Sequence, residues 1–299
     1  MRIALVGTLL LLAASSARAD LFVSAAKRNA VVRFDNDGKH LGDFVAPGAG
    51  GLGDPQGIAF GPDGHLYVSS NASDNVLRFD GETGDFMDEF ASHPAMKWPA
   101  EINFHDGHLY VSDFTRAGGV YRFDAQTGEF LDVIGKGIAM ADGQAWDADG
   151  HLHVSSFNTR GPGSGAVWNV QAKEANAAAF VAPGGGGLSG ALDNLFLPNG
   201  DLLVVSFQTN DIKRFSAEGE LVGTIDGISG PQGLEIGPDD ALYVGSYKEG
   251  AIRRFDLKTL EPLGVFATAP ATTTNNFTFS PAKDERDAKA DQGEGGDAD

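Results

Sequence analysis

The sequence predicts an all-β fold, a six-bladed β-propeller with four-stranded blades, the N-terminal strands completing the last blade. Three observations predict it. A short apolar strand recurs six times at intervals of 40 to 50 residues, beginning at Leu21, Leu66, Leu109, Leu152, Leu202 and Leu242. An Arg-Phe-Asp motif follows twelve or thirteen residues later, at Arg33, Arg78, Arg122, Arg254 and, with Ser in the third place, Arg214. A third motif precedes the apolar strand, read best in residues 55–64 (PQGIAFGPDG) and 231–240 (PQGLEIGPDD). A period of this length, divided by turn residues into four short strands, is that of a propeller blade.

Within the second unit the strands fall at 57–60, 66–70, 76–80 and 86–90. Pro62-Asp63-Gly64 and Gly81-Glu82-Thr83-Gly84 supply the turns between them. The fourth unit departs from the pattern. It carries Val167-Trp168-Asn169 in place of Arg-Phe-Asp, after a longer loop at 158–165. The chain enters the circle at its second strand, Leu21-Phe22-Val23-Ser24. Near its end, residues 275–281 (NNFTFSP) align with 56–62 (QGIAFGP). The last segment is therefore expected to supply the inner strand of the blade that the first strands began.

The two ends read differently from the body. Arg2, an apolar run at 3–14 and Ala17-Arg18-Ala19 have the form of an export signal, with a mature start at Asp20. The run is too short to span a bilayer as a helix, so no membrane span is expected once the signal is cleaved. Residues 284–299 hold seven acids, two bases and no large apolar side chain, which predicts a disordered acidic tail. That leaves 20–283 as one domain, exported to the periplasm or secreted, and expected to be monomeric.

Composition narrows the function. The 299 residues carry 41 acids against 22 bases, a net charge of −19, and no Cys. The charge excludes nucleic acid, which requires a basic footprint. The missing Cys excludes disulfides, Fe–S clusters and thiolate zinc sites. The 41 Gly are about twice the usual share and match a fold built of turns.

The motifs just quoted resemble NHL repeats, and the resemblance covers nearly all of residues 21–281. It implies the six-bladed fold. Related propellers include the gluconolactonase/senescence-marker family, strictosidine synthase-like proteins, the streptogramin lyases and the peptidyl-amidating lyases. The two lyase families imply His near the axis. Here His65, His108 and His151 share a repeat position at a strand turn, and only His93 lies near the start of an axial segment.

Other motifs lack the context their chemistry needs. Gly48-Ala49-Gly50-Gly51-Leu52-Gly53 imitates a dinucleotide fingerprint without a βαβ unit, and the similar 182–187 marks both as inter-blade connectors. Asp35-Asn36-Asp37-Gly38 and Asp147-Ala148-Asp149-Gly150 imitate an EF-hand start without its Glu, and read as turns. Ser70, Ser156, Ser206 and Ser246 share a repeat position. They read as small residues for blade packing, since none has a His base in its loop.

The inner-strand row is the informative one. Aligned across the six units it reads Gly57, Glu101, Gly143, Asp193, Gly233, Asn276, with Gln56, Ala100, Asp142, Leu192, Gln232, Asn275 one place earlier. Odd blades have Gly where even blades have an oxygen ligand. Glu101, Asp193 and Asn276 are thus candidate ligands for a hard divalent cation such as Ca²⁺. Gln56, Asp142 and Gln232 form a second polar ring. The gluconolactonase resemblance implies a divalent cation held by Glu, Asn and Asp at a channel mouth. The other reading of these rings is channel water and capped strand ends.

Phe114, Phe157, Phe207 and Tyr247 share the position just after the second strand, with Lys27, Arg28, Arg116, Arg160 and Lys248 nearby. Aromatic and basic groups on one face point to an anionic or sugar-like ligand, or else to packing between blades. Two functions follow. One is a binding module for a small molecule, glycan or protein at this face. The other is a metal-dependent, lactonase-like hydrolase or a lyase, with Asp142 or Glu101 as general base.

Overall fold

A computed structural model of the chain describes residues 19–157, 164–171, 177–268 and 274–281. The expected signal, the acidic tail, Arg160 and most of the 158–165 loop lie outside the described residues. Six four-stranded antiparallel sheets form the six blades. Five take four consecutive strands each, within residues 55–92, 99–134, 141–181, 191–225 and 231–268. The sixth runs β24 (Thr274–Phe279), β1 (Leu21–Ala25), β2 (Ala30–Phe34) and β3 (His40–Val45), so the ring closes as the sequence predicts. In the second unit the strands are β4 (Pro55–Phe60), β5 (Leu66–Ser70), β6 (Asn75–Phe79) and β7 (Phe86–Ser92), one or two residues longer than expected at several ends.

The repeat motifs have separable tasks. The Leu strand is the second in each blade and lies between neighbouring sheets. In β1 (Leu21–Ala25), β5, β13 (Leu152–Ser156) and β17 (Leu202–Ser206) every residue is buried. Its continuous apolar run, rather than an alternating one, is what two-sided burial demands. In Arg-Phe-Asp the Phe goes to the core: Phe34, Phe79, Phe123, Phe215 and Phe255 are all buried. The Arg turns outward to a carboxylate on an adjacent strand or turn, as in Arg122 Nη2–Asp132 at 2.5 Å and Arg214 Nη2–Asp201 at 2.5 Å. Such half-exposed pairs contribute little to stability each.

The Asp closes the turn to the fourth strand. Asp80 Oδ1 accepts from the amides of Glu82 and Thr83, and Asp124 and Asp256 repeat this at Gln126, Thr127, Lys258 and Thr259. These amide bonds hold the three carboxyls below the usual range. Asp35 Oδ1 accepts from the amides of Asp37 and Lys39, and Asp147 Oδ1 from those of Asp149 and His151, so the two EF-like segments are turns.

Hydroxyls join one blade to the next. Ser24, Ser69 and Ser112 donate to the carbonyls of Gln56, Ala100 and Asp142 on the following inner strand. Ser70, Ser156, Ser206 and Ser246, expected to be small packing residues, also hydrogen-bond. Each donates to a carbonyl in the loop entering its own blade, at Gly53, Ala139, Ser189 and Ser229. They are buried to 3% exposure or less, so none is placed as a nucleophile.

The two glycine connectors share one conformation. Gly48 and Gly184 have φ of 74° and 75°, and Gly50 and Gly186 of 62° and 59°. Both are short turns leading to an inner strand, as their repeat equivalence predicts.

Candidate functional site

The inner strands β4, β8 (Pro99–His105), β12 (Ala141–Trp146), β16 (Ala191–Phe196), β20 (Pro231–Ile236) and β24 (Thr274–Phe279) surround a channel. Its upper end opens into a basin of about 570 Å³. The basin wall is made by one repeat position, the residue after each second strand: Ala26, Asn71, Phe114, Phe157, Phe207 and Tyr247. Four consecutive blades contribute aromatics, so the wall is apolar on one side. Neighbouring rings along it stand 5.7, 6.4 and 6.2 Å apart. Opposite them lie Lys27, Asp54 and Asn71. Gln56, Asp142 and Gln232 line the floor.

Each aromatic is set by a residue of left-handed backbone just before the inner strand. The amides of Phe114, Phe157, Phe207 and Tyr247 donate to the carbonyls of Trp98, Met140, Gly190 and Gly230 at 2.8 to 3.1 Å. Gly190 and Gly230 adopt φ of 66° and 61° without cost, but Trp98 holds 49° and Met140 53°. For a bulky side chain this is strained by about 1–2 kcal/mol. Trp98 lines the basin and is 55% exposed, so packing does not explain the strain. Trp98→Gly should therefore leave the melting temperature within about 3 °C of wild type, despite deleting the largest side chain at the rim. A thermal melt showing a drop above 10 °C would assign Trp98 a structural role instead.

Below the floor the channel narrows to a neck of about 10 Å³, where Glu101, Asp193 and Asn276 face it. They lie one level deeper than the basin and also line a second cavity at the opposite end. The three repeat one local geometry. Asp193 Oδ1 accepts from the amide of Asn194 at 2.7 Å, and Asn276 Oδ1 from that of Phe277 at 2.9 Å; Glu101 is likewise bonded by Ile102 N–H. Asp193 Oδ2 also accepts from Leu234 N–H at 2.6 Å, and Asn276 Nδ2 donates to Glu101 Oε2.

The alternation with glycine is a packing rule. A Cβ on Gly57 would lie 2.4 Å from the Ala100 carbonyl oxygen, one on Gly143 2.6 Å from Asp193 Cα, and one on Gly233 2.7 Å from Asn276 Oδ1. Odd blades give up a side chain so that the polar residue of the next blade can reach the axis. Gly143→Ala should cost about 1–3 kcal/mol, since the clash is with backbone. Chemical denaturation showing less than 0.5 kcal/mol would break this account.

Among the described residues no basic side chain lines the neck, and four acids share the channel interior. Burial, then the Asp193 charge, pushes Asp142 up to about 8. Burial raises Asp193 to about 7 and, with help from Asp193, Glu235 to about 8. Glu101 is raised well above the carboxylate range by burial and by Asp193 and Asp142. Asp142 and Glu235 keep some accessible surface, and both line the channel cavities. Glu235 is the acid the sequence reading missed. It lies two places beyond the Gly233 row, where the other blades carry Ala59, Asn103, Ala145, Leu195 and Thr278.

Other expected site residues lie elsewhere. Arg116 is not among the residues lining the basin. Lys248 sits over the Phe207 ring at 5.6 Å, with its Nζ 2.9 Å from Asn210. His93 packs on Phe130, 4.2 Å between ring centres. Among the described residues, Asp147, Asp149 and His151 place one ligand atom each within 4.8 Å of one another, in the exposed turn before β13. The channel acids form no such group.

No family model matches the chain. Among curated proteins it is similar to lactonase drp35 of Staphylococcus aureus, 26% identical over 234 residues, covering 70% of this chain and 68% of the relative in strain USA300. The same protein of strain MRSA252 matches to the same extent. Among solved structures it is similar to a chain of the nidogen/laminin complex, with a TM-score of 0.73, 14% identity, and 89% of this chain and all of that one covered. It is also similar to streptogramin B lyase, with a TM-score of 0.57, 16% identity, and 72% and 70% covered. At these identities the structural likeness shows the propeller fold.

Proposed function

We propose that the chain binds an uncharged small molecule with an apolar ring or face in the upper basin. The carrying observation is the basin's division: an aromatic wall on four blades, polar groups opposite, and a floor of Gln56, Asp142 and Gln232. A volume near 570 Å³ suits a small ligand. With its carboxyl raised to about 8, Asp142 is largely protonated at neutral pH and can donate to a ligand oxygen. Two carboxamides beside it donate and accept. Among the described residues Lys27 is the one base lining the basin, which favours an uncharged ligand over the anionic one. A glycan or a protein segment would meet the same wall.

The test is a thermal-shift screen of neutral lactones and aryl glycosides. A hit should lose its shift in Tyr247→Ala and in Asp142→Leu. Shifts that survive both substitutions would place the ligand elsewhere.

The match to a lactonase favours a second reading, a cation-dependent lactone hydrolase at the same site. The oxygens of Glu101, Asp193 and Asn276 are of the right chemistry for a hard cation such as Ca²⁺. As they stand they do not close around a point, because Asn276 Nδ2 faces Glu101 and its oxygen is taken by Phe277 N–H. The hydrolase reading thus rests on the relatives and on a buried acid beside the basin. Lactone turnover that is gained with Ca²⁺ and lost with EDTA would establish it. Turnover absent in both would leave the binding reading alone.

Export from residues 1–19 belongs to this proposal. No helix among the described residues is long and apolar enough to cross a membrane. N-terminal sequencing of the mature protein should begin at Asp20.

A further inference from the structure

Strained backbone with no packing reason directs attention to the side chain it carries. Trp98 is the last residue before β8, at a φ of 49°. Its turn is held from both sides. Asp74 Oδ1 accepts from the Trp98 amide at 3.0 Å, and Asp74 Oδ2 pairs with Lys97 Nζ at 2.8 Å. The Trp98 carbonyl takes the Phe114 amide at 3.1 Å. Two other blade entries use the same device, Asn29 Oδ1 accepting from the Asp54 amide and Asn210 Oδ1 from that of Gly230. The backbone is thus common to several blades, and what differs is the side chain.

In the row Asp54, Trp98, Met140, Gly190 and Gly230, only Asp54 and Trp98 line the basin. A Cβ on Gly190 would lie 2.9 Å from the Phe157 ring, and one on Gly230 3.0 Å from Lys248 Cγ. At those two entries neighbouring side chains already fill the space. At Trp98 the wall residue of the preceding blade is Asn71, which has no ring, and the indole stays more than half exposed. Trp98 therefore carries the aromatic wall past Phe114 to a blade boundary that would otherwise be polar.

The inner strands follow one another around the ring in chain order, so β8 stands opposite β20. Trp98 precedes the first and Gly230 the second, and Phe207 and Tyr247 belong to the two blades that meet at Gly230. An indole thus faces two aromatic rings across the basin, over the floor of Gln56, Asp142 and Gln232. This arrangement favours a flat ligand. An aromatic ring offers a π-face to each side, and stacking adds to what its buried area contributes. The edge of such a ring meets two carboxamides and a carboxyl, which suit a carbonyl oxygen.

We infer that Trp98 is the specificity-determining residue of the basin, and that the ligand it selects is a planar, uncharged aromatic carbonyl compound, its ring stacked on the indole and its carbonyl at the floor. This rests on the reading of the basin as the binding site and narrows the ligand's class.

The test is isothermal titration of the full chain at pH 7 with coumarin and with octahydrocoumarin, the same skeleton without the aromatic ring. Coumarin should bind at least about tenfold more tightly than the saturated compound. Trp98→Gly should weaken coumarin at least about tenfold while keeping the melting temperature, a combination that a merely structural role would not give. Trp98→Phe retains a ring and should stay within about threefold of wild type. Octahydrocoumarin should change by less than about twofold in Trp98→Gly. Coumarin affinity that survives Trp98→Gly but is lost in Tyr247→Ala would overturn the role of Trp98 and leave the basin as the site. Affinity that survives Trp98→Gly, Tyr247→Ala and Asp142→Leu alike would remove the basin reading, and this one with it. Equal affinity for the two compounds, or no binding of coumarin, would overturn the aromatic class.

Discussion

Deleting residues 275–281 should abolish the cooperative thermal transition. The segment carries most of β24, the inner strand of the closing blade, paired to β1 through Leu21↔Phe279, Phe22↔Thr278 and Val23↔Phe277. Phe277 is 4% exposed and shares a core with Leu21, Val23, Phe34 and Tyr243, against which Phe279 also packs. Losing a buried Phe alone costs about 3–5 kcal/mol. Losing the strand also strips β1 of its partner and opens the channel between β20 and β4. Total stability is ordinarily about 5–15 kcal/mol, so the loss is of the same size as the whole. A circular-dichroism melt with an unchanged midpoint would refute the closure.

A permutant separates this effect from mere truncation. Ser280 N–H donates to the Asp20 carbonyl at 2.8 Å, and Asp20 N–H to Ser280 Oγ at 3.0 Å. Moving 274–281 to precede Asp20 through a short turn should restore the transition. A permutant that stays unfolded would show that the covalent order of the strands matters beyond their pairing.

Acidification from pH 8 to pH 5 in EDTA should stabilise the protein by at least about 3 kcal/mol, the effect of one such carboxyl, a rise of roughly 6 °C or more. Asp142 and Glu235 are raised to about 8 and Asp193 to about 7, all above their values in an unfolded chain. Between the unfolded and folded values the folded protein binds more protons, so stability falls as pH rises through that window. Above about pH 8 the loss is complete.

One group opposes this. Burial holds His153 below its ordinary value, so its protonation in the unfolded chain costs stability once pH drops under about 6.5. Asp132 and Asp147 have lowered carboxyls and matter only near and below pH 4. The optimum should therefore lie near pH 5. Asp142→Asn should raise the melting temperature at pH 8 and leave it nearly unchanged at pH 5. Equal shifts at both would remove the channel acids as the cause.

Most of this architecture could be read in the sequence, because a propeller writes its constraints at every turn of the repeat. Phe79, Arg78 and Asp80 each have one task, repeated at fixed spacing, so their pattern survives single exceptions such as Trp168. The pairing of 275–281 with β1 was legible for the same reason: NNFTFSP is an inner-strand sequence at the wrong end of the chain. The level of each ring was less legible. Glu101, Asp193 and Asn276 align with Gly57, but the alignment does not say which cavity that row faces. Glu235 was hidden because only one blade carries an acid in its row. The strain at Trp98 is a backbone property, which side-chain identity does not report. Arg116 stood near the aromatics in sequence, and nearness along a loop does not fix where a long side chain ends.

The glycine alternation in the inner row has a consequence for how such a ring can be enlarged or rearranged. Gly57 faces Glu101, Gly143 faces Asp193 and Gly233 faces Asn276. The repeating unit is therefore a pair of blades, although the strand motifs repeat with every one. Inserting or removing a single blade would bring two side-chain-bearing residues, or two glycines, face to face at the axis. Either way the channel would lose its fit, by overlap or by a gap. Blades of this ring should be exchangeable in twos: duplication of residues 55–140 is expected to be tolerated better than duplication of either half.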